Sequence, residues 1–537
     1  MKKFLPDLIA ILAFIILSFA YFFPADIEGR ILFQHDTAAG VGAGQESKEY
    51  LERTGERTRW TNSIFGGMPT YQMSPSYDST TSLKGVEKVY RLFLPDYVVL
   101  TFIMMLGFYI LLRAFGISAW LAGLGGVIWA FSSYFFILIP AGHIWKFVTL
   151  AYIPPTIAGV VLAYRKKYLL GGIVTALFIA LQIQSNHIQM SYYFMFVILF
   201  FVGAYFEDAY KKKELPHFFK ASGVLALAAV VGVCINISNL YHTYEYSKET
   251  MRGKSELKQE GAAASQTSSG LDRDYITNWS YGIGETLTLL VPNVKGGGSG
   301  STMSQSEAAM AKANPMYNGI YSQLPQYFGE QPWTAGPVYV GAFVMFLFVL
   351  GCFIVKGPLK WALLGATIFS ILLSWGKNFM GLTDFFIDYV PMYNKFRAVS
   401  SILVIAEFTI PLLAIFALKE ILSKPDMLKQ EKNCRGVIAA LVLTAGVALI
   451  LAVAPGTFFS SFITTQEMTA LKQALPAEHL APFVANLTEM REAIIASDAW
   501  RSFFIIVIGC LFLFLYQLRK LKASFTLAGV ALLCLID

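Results

Sequence analysis

Residues 399–418 read VSSILVIAEFTIPLLAIFAL. The run carries one charge, Glu407, and matches the ~20 residues that cross a bilayer as a helix. Similar apolar runs lie at 8–23, 98–115, 119–139, 147–164, 168–184, 189–206, 218–240, 336–355, 359–375, 436–454, 501–517 and 523–537. They are long and unbroken, unlike the short alternating segments of an outer-membrane barrel. The pattern predicts an all-α polytopic membrane protein with about thirteen transmembrane helices.

Composition agrees. Of 537 residues, 55% are hydrophobic and 14% charged, with a mean hydropathy of +0.54. Soluble domains carry roughly 25% charged residues. A soluble globular enzyme and a disordered chain are both excluded. The net charge of +7 reads as a topology signal, and no nucleic-acid partner is expected. The five cysteines suggest neither a disulfide framework nor a cysteine metal site.

Basic clusters set the orientation. They are Lys2 and Lys3; Arg165, Lys166 and Lys167; Lys211, Lys212 and Lys213; Lys356 and Lys360; Lys419 to Arg435; and Arg519, Lys520 and Lys522. With thirteen spans all of them fall on the N-terminal side, which is then cytoplasmic. The long loops 24–97, 241–335, 376–398 and 455–500 face outward. Ser18-Phe19-Ala20 resembles a signal-peptide cleavage site, but bulky Tyr21, Phe22 and Phe23 follow at once. Residues 261–270 (GAAASQTSSG) and 295–302 (KGGGSGST) read as mobile, either a lid or a plain spacer. Residues 466–473 and 485–496 read as short surface helices. The chain stops at Asp537 inside an apolar run, so a further extracytoplasmic domain is expected beyond it.

Polar residues cluster toward the outer side. Asp36 follows His35 about ten residues beyond the first span, placed to act as a general base or to bind a cation. The plainer alternative is a helix N-cap. Two short outward turns carry His143 and Lys146, and Asn186 and His187. Such groups are costly at membrane depth unless they line a wet cavity. Residues 391–397 (PMYNKFR) put Tyr393, Lys395 and Arg397 before the tenth span, against the positive-inside trend. Two cations there suit an anionic lipid phosphate, or else snorkel to headgroups. Glu407 is an intramembrane carboxylate. Asp272-Arg273-Asp274 is a DxD, a pattern that chance often produces.

The residues 33–40 (FQHDTAAG), 60–69 (WTNSIFGGMP), 279–293 (WSYGIGETLTLLVPN) and 391–397 together resemble the YfhO-like bacterial membrane proteins. These lie within the GT-C superfamily of integral-membrane glycosyltransferases. The resemblance runs over nearly the whole chain. It implies a GT-C-like fold in the bacterial cytoplasmic (inner) membrane with an extracytoplasmic active site. It implies a polyprenyl-phosphate-linked sugar donor and a membrane lipid or glycan acceptor. Asp36 takes the place of the catalytic base. His35, His143, Lys146, Asn186, His187, Tyr393, Lys395 and Arg397 are the expected substrate-binding residues. Asp36 has no adjacent second acid, so a divalent metal stays open. A transporter or flippase for an envelope lipid or polysaccharide, or a non-catalytic scaffold, are the alternatives.

Overall fold

The computed structural model describes residues 4–73, 77–253 and 270–537. Lys2, Lys3 and residues 261–269 lie outside them. Strand pairing among the described residues is confined to a ribbon of Trp60–Thr61 with Met68–Pro69 and one isolated bridge, Thr302 with Pro325. The rest is helix and turn. Among the described residues, seven helices are long and apolar enough to cross a membrane: Leu5–Phe22, Ile144–Tyr164, Ile188–Lys211, Leu215–Ile235, Val399–Ser423, Glu431–Val453 and Ala477–Gln517. Two bent pairs pass the same test together. These are Ala119–Ala130 with Ser133–Ala141, and Pro358–Ser374 with Gly376–Tyr389. Four shorter apolar helices, Val98–Ala114, Tyr168–Gln184, Ala342–Ile354 and Ala523–Ile536, complete the set. The chain is a multi-pass helical membrane protein.

It divides into two compact units. The first comprises Met1–Phe131, Phe135–Arg273 and Pro391–Phe396. Its centre is Ile144–Tyr164, buried over nearly its whole length. Glycines let its neighbours approach. A Cβ on Gly159 would lie 2.3 Å from Thr175 Oγ1, and one on Gly107 would lie 2.5 Å from the Ala151 carbonyl oxygen. Without a hydrophobic drive between helices in lipid, such close contact supplies the packing energy.

Polar side chains in this unit gather at two opposite sets of helix ends. At one, Tyr109 donates to Asp7 (2.5 Å), which also pairs with Arg113 (2.8 Å). Arg165 donates to the Ala114 carbonyl, and Lys166 pairs with Glu214 (2.9 Å). The turns here end on left-handed Lys166 and Lys213, with cations beside the free carbonyls of helix C-termini. At the other, Gln34 donates to the Ile139 carbonyl (2.7 Å) and Asn239 to Asn186 (3.1 Å).

The second unit comprises Ser132–Tyr134, Asp274–Val390 and Arg397–Asp537, built around the buried helix Val399–Ser423. Its ends separate in the same way. Arg519 pairs with Asp426 (2.7 Å) and Tyr516 donates to the Leu422 carbonyl (2.7 Å). Opposite them, Arg501 bridges Asp498 (2.8 Å) and Asp537 (2.6 Å), and Tyr339 donates to Asp537 (2.5 Å).

Three sequence expectations are corrected. Residues 485–496 are not a separate surface helix but part of Ala477–Gln517. That helix is about 60 Å long at ~1.5 Å per residue, twice a hydrocarbon core of ~30 Å. Its early turns carry Phe483, Leu487, Met490 and Ile494 at helical spacing. These pack on Met303, Tyr317, Tyr321 and Leu471, so the helix continues beyond its apolar stretch. Residues 295–302 are stitched rather than free. Ser299 N–H donates to the Thr334 carbonyl (2.8 Å) and Gln326 N–H to the Ser301 carbonyl (2.7 Å). A Cβ on Gly296 would strike the Gln326 carbonyl, so these glycines serve close approach. The 376–398 loop is largely helix, with Met380–Tyr389 turned back on Pro358–Ser374 at Gly376, φ 47°.

Gly159→Val should therefore lower stability by about 2 kcal/mol through overpacking. Denaturant unfolding in detergent reads this directly, and an unchanged midpoint would contradict the close approach to Thr175.

Candidate functional site

The first unit carries the candidate centre. Helix His35–Thr54 has no buried residue, so packing of its own side chains does not place it. Its first turn does. Gln34 is the N-cap residue, buried, and its amide reaches the Ile139 carbonyl while Thr37 Oγ1 donates to Gln34 Oε1 (2.9 Å). Gly142, with φ 80°, lies against the same turn, where a Cβ would sit 2.9 Å from both Thr37 N and Oγ1. Asp36 is thus the second helical residue and not the cap. Its carboxylate faces the positive end of the helix dipole.

Asp36 Oδ2 lies 2.9 Å from His143 Nε2, and Oδ1 lies 3.5 Å from His35 Nδ1. His143 caps the central helix Ile144–Tyr164. Asp36 and His143 are 54% and 47% exposed. An ion pair so exposed contributes ~1 kcal/mol or less. Stability does not explain the arrangement, and the carboxylate remains open to a ligand.

Lys146 and His143 lie close enough to His187 to act on it electrostatically. Burial is the larger influence and pushes the His187 imidazole down to about 3. His187 Nδ1, Gln184 Oε1 and Ser191 Oγ are buried without a hydrogen-bond partner. Buried polar atoms are normally paired, so three orphans around one turn mark a place for water or a polar ligand. Gln184 and Ser191 went unassigned in the sequence, since one amide at a span's end and one serine in an apolar helix carry no distinctive signal.

The remaining predicted residues are placed differently. Asn186, with φ 59°, is held by Asn239 and lies 3.5 Å from the Gln72 amide, which itself donates to Thr243 (2.6 Å). It ties the first outer loop to helix Ile237–Ser247. Tyr393 is buried in the first unit. Lys395 Nζ donates to the Arg252 carbonyl (2.6 Å), and burial lowers its affinity for its proton. Arg397 falls in the second unit, where it donates to Tyr275 OH (2.7 Å). Glu407 is fully buried in that unit, with neither carboxyl oxygen hydrogen-bonded. Among the described residues, no three His, Cys, Asp or Glu side chains group as a metal site.

No protein-family model, curated protein or solved structure matches the chain. The site must speak through its own geometry.

A second buried acid lies within residues 279–293. Glu285 accepts from Gly282 N–H (2.6 Å), Tyr327 OH (2.5 Å) and Glu330 N–H (3.3 Å). Burial pushes its carboxyl up although each of these bonds opposes that shift. Lys295 Nζ sits 4.3 Å and 4.8 Å from the Phe459 and Phe328 ring centres, and burial pushes it down. The cluster braces the large outer loop.

An imidazole whose folded pKa lies below its ordinary 6.5 takes up its proton only on unfolding. The His187 contribution is therefore fully present above about 6.5 and is lost as pH falls toward about 3. Unfolding midpoints of wild type and His187→Gln across that window should diverge, the variant losing less on acidification. Parallel curves would show that His187 titrates as an exposed residue.

Proposed function

We propose that the chain is a glycosyltransferase of the GT-C type, similar to the YfhO-like proteins, in the bacterial cytoplasmic membrane. All thirteen apolar helices cross, with the basic ends cytoplasmic and the Asp36 end outside. In support, polar ties in each unit gather helix ends into two sets that alternate along the chain. The donor is a sugar on a polyprenyl phosphate, and the acceptor is a hydroxyl of an envelope glycan or lipid.

The observation that carries this reading is the Asp36–His143 pair beside unsatisfied buried polar atoms. With its proton on Nε2, His143 donates to Oδ2, and Oδ1, 3.5 Å from His35 Nδ1, accepts from the acceptor hydroxyl. Asp36 takes the acceptor proton as the acceptor oxygen bonds to the anomeric carbon. The bond from that carbon to the phosphate oxygen breaks, and polyprenyl phosphate leaves with the electron pair. Lys395, in the same unit, is the cation assigned to that phosphate. Attack opposite the leaving group inverts the anomeric centre. Gln184, His187 and Ser191 are assigned to the hydroxyls of the bound sugar.

Cells lacking the gene, complemented with wild type or Asp36→Asn, give the test. Mass spectrometry of envelope glycans and lipids should show a sugar-bearing species restored by wild type. Asp36→Asn at equal expression should reduce it by about 100-fold or more, the range for a lost general base. Full restoration by Asp36→Asn would overturn the assignment.

A further inference from the structure

The basic end of the first unit holds a cavity of about 310 Å³ that the transfer chemistry does not use. Its wall is a stack of three rings. Tyr164 lies 4.5 Å from Tyr205 at 19° and 5.5 Å from Phe218 at 14°. Ala209 also lines the cavity, and behind the rings Ala163, Ala209 and Ala221 pack in the same buried apolar cluster. Around the opening stand Arg165, Lys166 and Lys212.

Two acids temper these charges, Glu214 on Lys166 (2.9 Å) and Asp208 on Lys212 (2.7 Å). Both pairs are exposed, and exposed pairs are weak enough for an incoming anion to displace them. Phosphate is the anion that Lys166 and Lys212 suit as point charges, while the Arg165 guanidinium, held on the Ala114 carbonyl, adds its positive charge to the wall.

The surroundings separate a lipid from a free ion. Phe218 leads out of the cavity to Phe206 and Phe219, each 5.4 Å away edge to face. These two rings are 44% and 62% exposed. On a membrane-spanning bundle such a surface faces acyl chains. A basic recess opening onto it joins a headgroup site to a hydrocarbon path.

We propose that this cavity binds the phosphate of an anionic phospholipid from the leaflet at the basic end, with its chains against Phe206 and Phe219. The site does not depend on the glycosyltransferase reading.

Native mass spectrometry of the full chain from nanodiscs, with phosphatidylglycerol against phosphatidylcholine, tests it. Wild type should retain the anionic lipid preferentially. Lys166→Gln and Lys212→Gln should each weaken that retention about fivefold, the effect of one surface cation near an anionic leaflet. Glu214→Gln and Asp208→Asn should strengthen it by freeing the lysines, a gain that mere misfolding does not produce. Equal retention of the two lipids, or lysine variants that behave as wild type, would overturn the proposal. Displacement of the lipid by millimolar inorganic phosphate would also overturn it, by identifying a soluble anion as the ligand.

Discussion

Hydrocarbon offers a peptide group no hydrogen-bond partner, and this constraint shapes every part of the chain. Backbone groups are satisfied within helices, so strand pairing is vestigial among the described residues. Ionised side chains are driven to helix ends, where they are tied in pairs such as Asp7 with Arg113 and Asp426 with Arg519. With apolar surfaces alike on helix and lipid, cohesion falls to close contact. Each unit therefore surrounds one nearly buried helix, Ile144–Tyr164 or Val399–Ser423.

The same constraint explains what the sequence reveals. An apolar run long enough to span is a direct consequence of the solvent, so helix forms within each of the thirteen runs. Where helices bend or stop within a run is not legible. The break at Asn236, the 109° turn after Ser374 and the continuation of Ala477–Gln517 past its apolar stretch depend on tertiary partners. Glycine-rich residues 295–302 misled for a related reason. Glycine permits both mobility and close approach, and only the neighbouring Gln326 and Ala335 carbonyls decide between them.

At the candidate site, Asp36 stands out in the sequence as a carboxylate beside a histidine soon after the first span. Its partner His143 stands out as part of a polar turn, but the bond joining them was not legible, since more than a hundred positions intervene. Gln34 and Gly142 hold the geometry, yet an amide and a glycine beside a span look ordinary in sequence. Asn186 read as a cavity residue because a polar turn and a polar strap have the same composition.

The central proposal is that the helix ends carrying Asp36 lie on the outer side of the membrane and the basic ends on the cytoplasmic side. Single cysteines in a background with the five native ones replaced by alanine measure it directly. His35→Cys and Lys312→Cys report one set, and Lys211→Cys and Lys520→Cys the other. With a membrane-impermeant maleimide on intact cells, the first two should label at once and the last two only after permeabilisation. Labelling of Lys211→Cys or Lys520→Cys in intact cells, or protection of His35→Cys, would contradict the account.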